Sequence, residues 1–361
     1  MFRHRRASRT LAIAGSLGVA LALTVATPSS ADPSWRVVAS GLHSPRNLAV
    51  SPDGDVYVAE SGRGGQRVCA PHPVLVEGCL GFSGSITWVN PDGSDERVVT
   101  KLPSIANDVE ALGPMDLVVT DSGRYYATIG LGADEKVRDG FGKAGEHLAT
   151  VVTGRLDSDE HKLFADVLAN EAENNPDGTD IDSNPAGLAR AGDSLVVADA
   201  GGNAIVKVNE DGGFRTVAAL DPTSEGADAV PTAVVRGPDG AWYVSQLTGF
   251  PFTKGSASIW RIGASGEPTE YASGLTNVTD LAFKGKTLYA VQISTDGLLS
   301  TPPNSLPQGS LVKVTEGGSS HSTVVGDLDA PYGVVITDGS AYVSTCSVCL
   351  TGGKVIKVSL K

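Results

Sequence analysis

The chain is poor in aromatic residues, at 6%, and in charge, at 19%, and it holds only four cysteines in 361 residues. Charge this sparse beside 41% hydrophobic residues excludes a disordered chain, and the length supplies one large core or two ordinary ones. Basic residues are the scarcer sign, 28 Lys and Arg against 41 Asp and Glu, for a formal charge of −13. They are dispersed among acids, so the clustered cations that nucleic acid or an anionic membrane demands are lacking. Long apolar runs are missing beyond the N-terminus. No later segment approaches the roughly 20 apolar residues of a bilayer span, so no membrane span is expected.

What stands at the N-terminus is a processing signal. Arg3, Arg5, Arg6 and Arg9 precede an apolar stretch from Leu11 to about Val25 and the small residues Ser29, Ser30 and Ala31. This order predicts a secretory signal peptide over 1–31 and a mature domain over 32–361, secreted to the cell exterior and acting as a monomer. Gly15 and Gly18 interrupt the apolar stretch, which is short for a membrane span. The adjacent Arg5 and Arg6 lack the residues expected after a twin-arginine pair, and the export route stays open. Four cysteines in an exported chain point to disulfides. The local pairs Cys69 with Cys79 and Cys346 with Cys349 are favoured, with bridges between the pairs an open alternative. A zinc site is disfavoured because Cys346 and Cys349 have no second pair of matching spacing.

The 44 Gly and 20 Pro follow no collagen period and fall between short apolar runs, which is the pattern of many closely spaced turns and an all-β chain. One unit recurs six times. It opens with a strand at Pro45–Val50, Pro114–Val119, Pro185–Arg190, Pro231–Arg236, Val278–Phe283 and Pro331–Ile336. A turn and a β-rich second strand follow, at Val56–Glu60, Tyr125–Ile129, Leu195–Asp199, Trp242–Gln246, Leu288–Gln292 and Ala341–Thr345. Third strands are expected near 85–90, 147–153, 204–209, 258–263, 310–315 and 354–360. The sixth unit runs out of chain before its fourth strand, and Trp35–Leu42 supplies the missing one from the other end. The expectation is a six-bladed β-propeller with four antiparallel strands per blade, closed by strand 35–42 completing the last blade.

Strand direction puts the second-to-third loops and the blade connections on one face, here called the top. The long insertions at 61–83, 130–146, 247–257, 294–308 and 169–184 all fall there, whereas the other face carries short Gly turns. Second strands end on a mostly polar rim of Glu60, Asp199, Gln246, Gln292 and Thr345. Near the axis stand Asn47, Asp116 and Asp280, with Arg46 and Tyr332 beside them. These ten residues are the candidate ligand-binding set. Glu60, Asp116 and Asp199, with Asn184 or Asn47, have the oxygen donors that a divalent cation such as calcium takes from separate strands. The segment 174–182 also alternates oxygen donors, but it lacks EF-hand spacing and reads as a solvated turn. No Gly-x-Ser-x-Gly elbow occurs in the mature chain, and His43 is the one histidine considered as a general base.

The segments GLHSPRNLAVSPDGDVYVAESGRGG, GPMDLVVTDSGRYYATIGLG, SNPAGLARAGDSLVVADAGGNAIVKV and VPTAVVRGPDGAWYVSQLTGFPF resemble the ScyD/ScyE family of secreted, NHL-like propellers. That resemblance covers about 35–361 and implies an exported propeller without an established activity. Sugar-lactonase-like propellers are similar in blade pattern and use a Glu, Asn and Asp metal cage, for which Glu60, Asn184 and Asp199 are of suitable type. Quinone-dependent sugar dehydrogenases are also similar in the first blade, but Arg46 stands where they tend to carry a His. Two functions follow as expectations. The first is binding of a small molecule, glycan or protein on the top face, and the alternative is metal-dependent hydrolysis of lactones or esters.

Overall fold

A computed structural model describes residues 35–90 and 92–360. The signal-peptide reading of 1–31 lies outside the described residues. The strands form six antiparallel sheets in chain order. The third sheet shows the plan, from inner strand Pro185–Ala191 through Ser194–Asp199 and Ala204–Val208 to outer strand Phe214–Ala219. The second, fourth and fifth follow the same plan from inner strands Pro114–Val119, Pro231–Arg236 and Val278–Lys284. In the sixth, Val334–Thr337, Ser340–Thr345 and Gly353–Ser359 are joined by Trp35–Leu42 on the outer edge, with Trp35 opposite Val358 and Leu42 opposite Gly353.

Burial explains the residue types. Second strands such as Val56–Glu60 and Trp242–Gln246 are buried at every position, because a neighbouring sheet covers each face, and β-branched and aromatic residues fill that space. Outer strands such as Phe214–Ala219 mix exposed and buried positions. The cores accordingly lie between sheets. Val196, Ala198 and Ile205 of the third pack with Val234, Val244 and Ile262 of the fourth, and Val38, Leu42 and Tyr342 of the sixth with Leu48 and Val58 of the first.

Inner strands of successive sheets pack on one another, and the sixth packs on the first. Side-chain hydrogen bonds cross every seam. Ser61 Oγ donates to the Pro114 carbonyl at 3.0 Å, Leu188 N to Asp116 Oδ2 at 2.7 Å, and Val230 N to Asn203 Oδ1 at 2.9 Å. Thr232 Oγ1 donates to the Val278 carbonyl at 2.8 Å, Thr279 Oγ1 to the Tyr332 carbonyl at 2.6 Å, and Ser344 Oγ to the Arg46 carbonyl at 2.7 Å.

Three local readings change. The third strand of the first sheet is not confined to 85–90. It runs over Val76–Val89, and Val68–His72 pairs with its first half, so the 61–83 insertion is largely a hairpin with Cys69 opposite Cys79. Two helices occupy stretches read as loop: α1, Glu135–Gly140, capped by Asp134 Oδ1 on Val137 N, and α2, Val167–Asn174, capped by Asp166 Oδ1 on Ala169 N. The last inner strand begins at Val334 rather than Pro331, although Tyr332 N and the Gly333 carbonyl still bond Ser344.

Gly333 generates a test of the seam. A Cβ added there would lie 2.6 Å from the Asn47 Cα, a backbone atom that cannot swing aside. Gly333→Ala is expected to cost about 2 kcal/mol in urea unfolding. Gly326→Ala, where nothing lies closer than 3.7 Å, should stay within about 0.5 kcal/mol, and equal effects at both positions would contradict the tight seam.

Candidate functional site

The residue after each blade-opening position forms a first ring at the loop-bearing end of the inner strands: Arg46, Met115, Ala186, Thr232, Thr279 and Tyr332, all buried. Arg46 donates through Nε to Ser61 Oγ at 3.2 Å and through Nη2 to the Ala111 carbonyl at 2.7 Å. Its guanidinium also lies 4.8 Å from the Tyr332 ring centroid and 3.5 Å from Glu110. Burial pushes the Tyr332 hydroxyl up to about 12. Met115, Ala186, Ile293, Ala330 and Tyr332 make one apolar cluster, with Leu247 and Val348 against it. This cluster joins apolar side chains from the second, third, fifth and sixth sheets.

One residue further along the inner strands stand Asn47, Asp116 and Asp280, also buried. Asp116 accepts Leu117 N and Leu188 N at 2.7 Å each, and Asp280 accepts Leu281 N at 2.8 Å and Val334 N at 2.7 Å. Each aspartate therefore ties its own inner strand to the next sheet. Burial raises Asp116 to about 7, and burial together with the Asp116 charge holds Asp280 well above the usual carboxylate range. Both polar atoms of the Asn47 amide lack hydrogen-bond partners.

The second-strand ends are buried as well. Glu60, with no exposed surface, accepts His43 N at 2.5 Å, Ser85 Oγ at 3.0 Å, Thr87 Oγ1, and Arg97 Nε and Nη2 at 3.0 and 2.8 Å. Asp199 accepts Ser183 Oγ and Asn184 N at 2.7 Å, and burial raises it to about 6. Gln292 bonds Thr276 N and Ser310 Oγ, and Thr345 is buried. Gln246 accepts Ser258 N and floors a cavity of about 410 Å³ near Lys254, Trp260 and Glu270. Asn184 accepts Leu131 N. The carboxylates of Glu60, Asp116 and Asp199 do not converge: among the described residues the one group of three ligand-type side chains within 4.8 Å is Cys69, Glu77 and Cys79. The expected cage of Glu60, Asp116, Asn184 and Asp199 is therefore not formed, because Glu60 is held by Arg97 and Asp116 by the backbone of the next sheet. A metal does not fit that set.

His43 carries a ring pKa lowered by burial, with Arg97 adding to the effect. Both local disulfides, Cys69–Cys79 and Cys346–Cys349, are formed. Sequence reasoning missed a second acidic group, Glu171 and Asp182 beside Asp199. The available signal was the alternating oxygen donors of 174–182, read as a turn.

No family model matches the chain, and no curated protein matches it. Solved structures do. A gluconolactonase from Xanthomonas campestris aligns with TM-score 0.53 at 10% identity, covering 91% of this chain and 89% of that one. A putative gluconolactonase gives 0.51 at 12%, covering 92% and 95%, and a protein of unknown function from Bacteroides thetaiotaomicron 0.54 at 10%, covering 90% and 75%. The fold is that of a β-propeller. In this propeller the sheets are blades, and at such identities the likeness carries architecture alone. Among the described residues no helix of the propeller is long and apolar enough to cross a membrane.

Two tests follow from these networks. Glu60→Gln removes the charge facing Arg97 and is expected to cost about 2–3 kcal/mol in urea unfolding; a neutral effect would mean that the pair contributes nothing. Asp116 and Asp280 hold protons in the folded chain that unfolded carboxylates release near pH 4. Their contribution is therefore lost as pH rises from about 4 towards 7, by up to about 1.4 kcal/mol per pH unit for each retained proton. Asp280→Asn should become relatively more stable between pH 5 and pH 7.5, and a pH-independent difference from the parent would count against the coupled pair.

Proposed function

We propose that this chain is a secreted, six-bladed propeller, closed by strand 35–42 and acting as a monomer, that binds a partner protein through the loops of its top face. One observation carries the reading. Of nine exposed large hydrophobic residues among the described ones, seven stand on the insertions and blade connections read as top-face: Val76 and Phe82 on the hairpin strand Val76–Val89, and Val74, Val109, Ile181, Phe250 and Leu299 outside the strands. Exposed apolar residues gathered on one side of an acidic chain suit an interaction surface. Five of the seven are aliphatic, which suits a protein partner better than a sugar ring. The resemblance to ScyD/ScyE propellers is in keeping with an exported binding module, and the two disulfides with an oxidising exterior.

The alternative, a metal-dependent lactonase or esterase, draws support from the gluconolactonase neighbours in fold alone. The dispersed acids weigh against it. Most of the ten candidates from the sequence hydrogen-bond within the scaffold, which supports the partner reading over a small-ligand pocket at the strand ends.

A photoreactive phenylalanine analogue at position 250, compared with one at exposed Leu163 on an outer strand, tests the face directly. Exported protein irradiated in its own culture medium should give a discrete protein adduct from position 250 only, and Leu299→Ser with Val76→Ser should reduce its yield at least about fivefold while leaving melting unchanged. Equal labelling at both positions overturns the reading. Turnover in a lactone and ester panel, lost on Asp116→Asn, would replace it by the hydrolase.

A further inference from the structure

The connection between the second and third blades brings the acids Glu171, Asp182 and Asp199 close to one another. Glu171 of helix α2 is 1% exposed, and its Oε1 has no hydrogen-bond partner. Oε2 of the same carboxylate faces Gly202, where an added Cβ would lie 2.4 Å from it and 3.4 Å from Asp199 Oδ2. Gly201 is used in the same way: its added Cβ would stand 2.8 Å from Asp182 Oδ1, another buried oxygen with no partner. The Asn175 Oδ1 is the third. Asn175 and Asp182 line an open cavity of about 850 Å³, with Lys136 also on its wall. Burying carboxylates beside one another with orphaned oxygens is costly unless a cation joins them.

We propose that Glu171, Asp182 and Asp199, with the Asn175 amide oxygen, hold a calcium ion where segment 175–182 crosses the end of strand Ser194–Asp199. The donor set is all oxygen, from carboxylates and one amide, which suits a hard cation of six to eight ligands. Burial and mutual repulsion support the same view, raising Glu171 to about 8 and Asp182 to about 7. The oxygens are not gathered to bonding distance, but Glu171 and Asp182 each have one with no hydrogen bond to surrender on closing. Asp177 braces the rim, accepting Thr179 N, Thr179 Oγ1 and Asn203 Nδ2. The glycine pair at 201–202 leaves the space that the carboxylates occupy. This site goes beyond partner binding and does not rest on it.

The test uses the mature exported chain, stripped with a chelator and titrated with calcium, with magnesium as comparator, by calorimetry and thermal melting. One ion should bind per chain, and melting should rise by about 5 °C at a hundredfold excess over Kd. Glu171→Gln should weaken calcium at least about tenfold yet melt no lower than the parent without metal, because a carboxyl group that burial disfavours has been replaced by a neutral amide. Asp182→Asn, at a partly exposed position, should weaken it similarly and serves if Glu171→Gln fails to fold. No heat and no melting shift in the parent, or unchanged calcium affinity in the folded variants, would overturn the site.

Discussion

Backbone contact between neighbouring inner strands is the constraint on which the rest of the structure depends. At Gly187 and Gly333 a single added carbon would stand 2.8 Å from the Ala233 Cα and 2.6 Å from the Asn47 Cα. Side chains that remain between the strands must therefore be small, or must satisfy the polar backbone of the next blade. Asp116, Thr232, Thr279, Asp280 and Ser344 all do the latter. The seams are thus held by directional bonds at the axis and by apolar packing further out, as between Val196 and Val244.

That arrangement decides where binding can occur. Glu60, Asp199, Gln246 and Gln292 at the strand ends are hydrogen-bonded within the scaffold, and Met115, Ile293 and Tyr332 belong to one apolar cluster beside them. Chemistry needing a free carboxylate has little to draw on near the centre. The long insertions are under no such restraint, and there Phe250 and Val76 are exposed. The propeller is a rigid frame that presents those loops, with the hairpin bearing Cys69–Cys79 and the turn closed by Cys346–Cys349 stapling two of them.

Much of the frame was legible because the units repeat. Trp242–Gln246 and Trp35–Leu42 occur with the bounds that their β-rich composition and flanking turns imply. Helices α1 and α2 were not legible. Each is short, and neither spans enough turns for an apolar stripe to stand out, so only their caps, Asp134 and Asp166, mark them. Glu60 shows the same difficulty for function. Its residue type and place on a rim match a ligand, while its role follows from Arg97, which lies two strands away in the same blade.

The sequence by itself determined the repeat, most of the strand positions, the placement of the long insertions and the cysteine pairs favoured for bridging. All of these are encoded locally, in alternation, turn residues and spacing over a few tens of residues. Only the tertiary structure decided which polar side chains are engaged and which are left without partners. Asp116 meets Leu188, and Glu171 comes beside Asp199 and Gly202, across distances in the chain that no local pattern records. Whether a buried carboxylate joins two blades or awaits a cation is set by what the fold brings against it, since burial penalises its charge until a donor or an ion compensates.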